Sequence, residues 1–269
     1  MMIGRKLEQA MIGSRQQGKT ELIFFVNAGD PNLEISYAML KVLARQGLIA
    51  VELCVPFPNS LTDGPLIRAS HQRALNNGVD LDKVLRFVEK VRNELDLSIV
   101  ILADYGHTVQ PLGMELFLER CALAGASATL IHCLPPLLRN TYNQYSDQMG
   151  LGKIMSFFVG SDEKTRWSAY QEALGFIYVV SRFGRTGHRV NFDADVLAQL
   201  SAIRLETDKP LAIGFGVKTK EDIQALQANG ADAVIIGSLA TSVIERNLSR
   251  PGLIPAEFEN LVRDFASVC

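Results

Sequence analysis

A closed (β/α)8 barrel is the fold class that the sequence predicts, and three observations predict it. From residue 21 onward, eight short runs rich in β-branched and aromatic residues alternate with eight longer amphipathic segments, the order that βαβ units and a parallel sheet require. Several runs, such as Ile-Val-Ile-Leu at 99–102 and Ala-Val-Ile-Ile at 233–236, are apolar on both faces, as strands are when helices cover the outside and packed layers fill the inside. The chain has 269 residues, close to the roughly 250 of one such barrel, so residues 1–269 are read as a single domain.

The elements follow in chain order. Residues 3–18 predict an extra amino-terminal helix, placed to close the bottom of the barrel. The first strand, 21–28, carries Leu-Ile-Phe-Phe-Val and is followed by a helical pattern at 34–46. The second, 49–55, leads to a helix at 81–94; the third, 98–104, to one at 112–124; the fourth, 128–133, to one at 136–147. The fifth, 153–159, precedes a helix at 164–173, and the sixth, 176–181, one at 194–204. The seventh, 211–215, and the eighth, 233–236, are followed by helices at 220–228 and 239–246. A last helix is expected at 254–267, with Pro251 and Pro255 near its start, where proline suits helix entry. An open doubly wound sheet is the competing architecture. It would place a glycine-rich dinucleotide loop after the first strand, which here runs into Asn-Ala-Gly-Asp-Pro at 27–31.

Composition excludes several function classes. Hydrophobic residues make up 48% and charged residues 21%, the balance of a soluble globular protein. A net charge of −2 without a basic run offers nothing to neutralise a nucleic-acid backbone, and no apolar run reaches the roughly 20 residues that span a bilayer. Cys54, Cys121, Cys133 and Cys269 form no CxxC, which suits free thiols in a reducing compartment; with no signal-peptide pattern, a cytoplasmic enzyme is expected. His71, His107, His132 and His188 show no metal-ligand spacing, so structural or surface roles and no metal are expected.

In such barrels the reacting groups come from strand ends and the loops that follow. Glu52 stands inside the apolar run Val51-Glu52-Leu53-Cys54-Val55, where burial should raise its pKa and let it exchange protons near neutral pH. A carboxylate in a structural ion pair, or one pointing into solvent at a strand edge, is the plainer alternative. Asp63, in Ser60-Leu61-Thr62-Asp63-Gly64-Pro65, lies on the loop leaving the same strand; alone, Asp-Gly-Pro is ordinary turn chemistry, and the pairing with Glu52 gives it interest. Gly214-Phe215-Gly216-Val217 and Gly237-Ser238 follow the last two strands, where many barrels bind phosphate through backbone N–H groups and a helix amino terminus. After the sixth strand, 181–189 carries two glycines and three arginines and reads as a lid, in which Gly187 would add an N–H to the anion and Thr186 would orient a carboxylate.

Taken together, Phe-Val-Asn-Ala-Gly-Asp-Pro at 25–31, Val-Glu-Leu-Cys-Val-Pro-Phe-Pro-Asn-Ser-Leu-Thr-Asp-Gly-Pro at 51–65, Tyr-Val-Val-Ser-Arg-Phe-Gly-Arg-Thr-Gly at 178–187, Gly-Phe-Gly-Val at 214–217 and Gly-Ser at 237–238 resemble the tryptophan synthase alpha chain family over nearly the whole chain. The resemblance implies retro-aldol cleavage of indole-3-glycerol phosphate to indole and glyceraldehyde 3-phosphate, without a cofactor. It implies that Glu52 moves the protons and Asp63 holds the ring N–H. Phe25, Tyr178 and Phe215 would wall the ring pocket, and Gly187, Gly216, Gly237 and Ser238 would hold the phosphate. It also implies a β subunit as partner. The chain departs from the family pattern at Asn27, at Asn59 and Ser60, at His107 and at Cys133; the 58–60 and 105–108 loops are those that normally face the β subunit. The alternative reading is a stand-alone or divergent lyase or isomerase acting on a related aromatic or sugar phosphate.

Overall fold

The computed structural model describes residues 3–180, 194–214 and 216–269. Among these residues nine strands form one wholly parallel sheet: β1 (Glu21–Asn27), β2 (Ala50–Cys54), β3 (Ser98–Asp104), β4 (Ala128–His132), β5 (Gly152–Lys153), β6 (Met155–Phe158), β7 (Ile177–Val180), β8 (Leu211–Gly214) and β9 (Ala233–Ile236). The sheet runs β5-β4-β3-β2-β1-β9-β8-β7-β6. Its two outer members are successive pieces of chain parted by Ile154 alone, so the sheet returns on itself as a barrel.

That seam corrects the single fifth strand expected at 153–159. β5 pairs with β4, and β6 pairs with β7. Between them Lys153 exchanges both backbone hydrogen bonds with Leu174 in an isolated antiparallel bridge (2.7 and 3.0 Å), while the Ile154 N–H still donates to the Thr129 carbonyl at 3.0 Å. The strand therefore changes partners in mid-course, and the ladder to β7 begins only at Met155.

Strand periodicity separates two cores. Val51 and Leu53 point outward into the large cluster beneath the helices, whereas Ala50 joins Ile23, Val100, Ala128, Phe176, Ala212 and Ala233 inside the barrel. Leu7 and Met11, from the helix Ile3–Gln16, belong to this inner cluster and seal its bottom, the place expected for that helix. Gly4 lies so close to the Gly152 backbone that a Cβ would overlap it, so glycine lets the helix dock against the seam. No helix among the described residues is long and apolar enough to cross a membrane.

One helix is absent from the sequence reading, which treats Asp63-Gly64-Pro65 only as a turn. Residues Pro65–Asn76 are helical, with Gly64 as N-cap and Pro65 in the first turn, where a missing N–H leaves no intrahelical bond unmade. Its buried face is Ile67, Ser70, His71 and Ala74. The helix is tied to the end of the β1 loop by Asp30, fully buried, which accepts from Arg73 Nε at 2.6 Å, Arg73 Nη2 at 2.8 Å and Ser70 Oγ at 2.5 Å.

Candidate active site

The register of β2 decides where its acid goes. Glu52 sits opposite Phe25 on one side and Val100 on the other, and it alternates with inward-facing Ala50, so its side chain enters the barrel. There it lines a cavity of about 690 Å³ at the carboxyl ends of the strands. Phe25, Asp63, Tyr178, Gly216, Gly237 and Ser238 line the same cavity, with Leu102, Leu130, Ile154 and Ile235 supplying apolar wall. Thr186, Gly187, His188 and Phe215 lie outside the described residues.

Glu52 is 2% exposed, and its Oε1 has no hydrogen-bond partner among the described residues. Burial, with a smaller contribution from the charge of Asp63, pushes its pKa up to about 8. The carboxyl group is thus protonated for most of the time at neutral pH, yet near enough to its transition to release the proton. Among the described residues no ion pair to it is found.

Asp63 is held differently. Ser60 Oγ donates to its Oδ2 at 2.7 Å, and His71 Nε2 approaches the same oxygen at 3.3 Å. The Phe57 backbone N–H donates to His71 Nδ1 at 3.2 Å, which places the ring proton on Nε2, facing Asp63. The imidazole is buried and packs against the Phe57 ring at 4.4 Å between centroids. His71 therefore orients the carboxylate, a role that the sequence reading gave to no histidine. A helix assigned at 65–76 would have exposed it, because positions 67, 70, 71 and 74 form one buried helical stripe.

On the opposite wall, burial and the nearby charges of Glu52 and Asp63 drive the Tyr178 phenol well above its ordinary pKa, so it stays protonated. A Cβ at Gly214 would overlap this ring; glycine there is what lets the phenol lie across the barrel interior. At the far rim Gly216 takes the left-handed conformation (φ 93°) that favours glycine. Gly237 caps the helix Ser238–Arg246 with no side-chain hydrogen bond to its first turn among the described residues, and this turn carries the positive end of the helix dipole. An acid with a near-neutral pKa, a fixed carboxylate, an apolar wall and the amino terminus of a helix thus converge on one cavity.

A family model described as tryptophan synthase alpha chain matches residues 11–268. The chain belongs to the tryptophan synthase alpha chain family. Relatives named tryptophan synthase alpha chain include one from Synechocystis sp., 34% identical over 89% of this chain and 90% of its own length, and one from Synechococcus elongatus, 37% identical over 83% and 84%. The barrel is similar to that of tryptophan synthase subunit alpha from Legionella pneumophila (TM-score 0.84, 24% identity, 98% of both chains covered). It is also similar to a chain of the tryptophan synthase complex from Pyrococcus furiosus (TM-score 0.82, 23% identity, 92% of this chain and 98% of that one). At these identities the solved structures speak to the fold.

Against the alpha chain pattern, two of the departures in this chain, Ser60 and His107, have visible partners, whereas the buried Asn27 amide has none among the described residues. Ser60 supplies the hydroxyl that holds Asp63. His107 stacks on Phe57 (5.6 Å between centroids) and meets Asp104 Oδ1 through Nδ1 at 2.7 Å. Asn59 and Cys133 both adopt φ 55°, the left-handed region that only glycine enters without penalty.

Proposed function

We propose that residues 1–269 act as one barrel domain that cleaves indole-3-glycerol phosphate by a retro-aldol reaction, giving indole and glyceraldehyde 3-phosphate. The observation that carries the reading is Glu52: a buried carboxyl, its Oε1 without a partner among the described residues, with a pKa near 8 in an apolar cavity beside a second, fixed carboxylate. An indole carbanion is a poor leaving group, so the ring must be protonated before the bond breaks. Neutral Glu52 gives its proton to ring C3, which places positive charge on the ring nitrogen. The Asp63 carboxylate accepts the hydrogen bond of that N–H and offsets the charge. Glu52, now ionised, takes the proton from the hydroxyl on the side-chain carbon attached to C3. As the C–O bond becomes a carbonyl, the C–C bond electrons return to the ring and neutral indole departs. The two proton transfers balance, so the step needs no redox or carbonyl cofactor.

Phe25 and Tyr178, with Phe215, flank the ring; Gly216, Gly237 and Ser238, with Gly187, bind the phosphate; Thr186 orients a carboxylate. The amino terminus of the Ser238–Arg246 helix supports this division, because it faces the same cavity as the two acids. A tryptophan synthase β subunit is the proposed partner, received by the loops around residues 58–60 and 105–108.

Indole formation from indole-3-glycerol phosphate by the purified protein, with and without a tryptophan synthase β subunit, tests both parts. Indole release that the β subunit increases is expected. Release that the β subunit leaves unchanged removes the partnership but keeps the lyase. No indole in either arm, with the fold intact, overturns the reading in favour of another aromatic or sugar phosphate.

A further inference from the structure

At the cavity rim, apart from the two acids to which the cleavage is assigned, the ends of β3 and β4 bring three chemically different donors together. Asp104 and His132 are register partners across the two strands, and Cys133 is the next residue. One donor atom from each lies within 4.8 Å of the other two. We propose that Asp104, His132 and Cys133 bind one transition-metal ion of the Zn2+ class, with the fourth position open to water or a small anion at the cavity mouth.

Donor chemistry selects the ion. A thiolate and an imidazole beside one carboxylate suit Zn2+ or Co2+ and disfavour the hard, oxygen-seeking Mg2+ and Ca2+. Three protein ligands with an open position are the usual pattern of an accessible zinc site. The surrounding contacts match what holds ligands in place elsewhere. Asp104 Oδ1 accepts from the His107 backbone N–H at 2.9 Å and meets His107 Nδ1 at 2.7 Å, which leaves Oδ2 for an ion. His132 Nε2 meets Thr62 Oγ1 at 3.1 Å, an outer contact that leaves Nδ1 to ligate. Cys133 is exposed, which gives an ion a way in, and its left-handed backbone is a strained feature of the kind found at ligand clamps. Tetrahedral coordination would place the donors roughly 3.5 Å apart, so from separations within 4.8 Å they would close by at most about 1.3 Å, within reach of side-chain rotation. On binding, the Cys133 thiol proton passes to solvent. Sequence spacing hides the set, because the ligands come from two strands.

The test is a Co2+ titration of untagged, metal-free protein at neutral pH, followed by absorption. The expected result is a thiolate-to-cobalt charge-transfer band with tetrahedral d–d bands, saturating at about one ion per chain and abolished by Zn2+. Cys133→Ser should remove the charge-transfer band, and His132→Ala should weaken Co2+ binding at least about tenfold, the scale of loss for disturbed metal sites. Circular dichroism checks that both variants fold. Saturating Co2+ without a thiolate band overturns the proposal, as does a band that survives in Cys133→Ser, which would assign the ligand to another cysteine.

Discussion

His71 Nε2 lies 3.3 Å from Asp63 Oδ2, while the Phe57 backbone N–H occupies the opposite ring nitrogen. A main-chain group thereby fixes both the tautomer and the aim of a side chain that steadies the second acid. His71→Ala removes a hydrogen bond to a charged group, an interaction of about 1.5–3 kcal/mol. The expected outcome is a fall of roughly 10–100-fold in kcat for indole formation, with KM and the affinity for a phosphate ligand little changed. His71→Asn, which can still donate, should recover part of the loss. Equal decline of kcat and ligand affinity would reduce His71 to a packing residue.

Glu52 titrates at about 8 when folded against 4.5 for the ordinary group, so the folded protein binds the proton more tightly than the unfolded chain. Its contribution to stability is complete below pH about 4.5, declines as the pH rises, and is lost by about pH 8. A shift of this size corresponds to about 5 kcal/mol as an order of magnitude. Glu52→Gln keeps the shape and has no charge to bury. It should be more stable than the parent at pH 8 by several kcal/mol, and the margin should shrink at pH 5 in urea unfolding. The same substitution should abolish indole formation and leave phosphate-ligand affinity within a few-fold, because an amide cannot shuttle protons.

The pair of buried Asp30 and half-buried Arg73 joins the β1 exit to the helix that carries His71. Asp30→Ala removes the hydrogen bonds of Ser70 and Arg73 to a buried carboxylate, while Arg73, partly exposed, keeps Glu245 at 2.5 Å, so the cost should be about 1.5–3 kcal/mol of unfolding free energy. If denaturant midpoints barely move, the pair is dispensable and the helix is held by packing alone.

These relationships mark where the sequence stops being informative. The alternation of strands and helices, the inward position of Glu52 and the glycine turns of the last two strands depend on local pattern, and local pattern is readable. The division of the fifth strand depends on Lys153 finding Leu174, and the Asp104–His132–Cys133 group depends on the register of β3 against β4. Neither leaves a periodic trace. The Pro65–Asn76 helix is a different case: a glycine cap and a proline first turn were present to be read, but Asp-Gly-Pro satisfies the rules for a turn equally well. Missing the helix concealed His71 and the Asp30 anchor together.

The two acids are also coupled through space, since the charge of Asp63 adds to burial in raising the Glu52 pKa. If Glu52 acts first as a proton donor, kcat/KM should fall as the pH rises through about 8, where the donor form is lost. Asp63→Asn removes the charge while keeping the size of the side chain, so the Glu52 pKa should move down, with burial keeping it above 4.5. Carboxyl-labelled glutamate followed by carbon NMR across the pH range reads this directly in the inactive variant. An unchanged Glu52 transition in Asp63→Asn would mean that burial alone sets it, and that Asp63 contributes only its bond to the ring nitrogen.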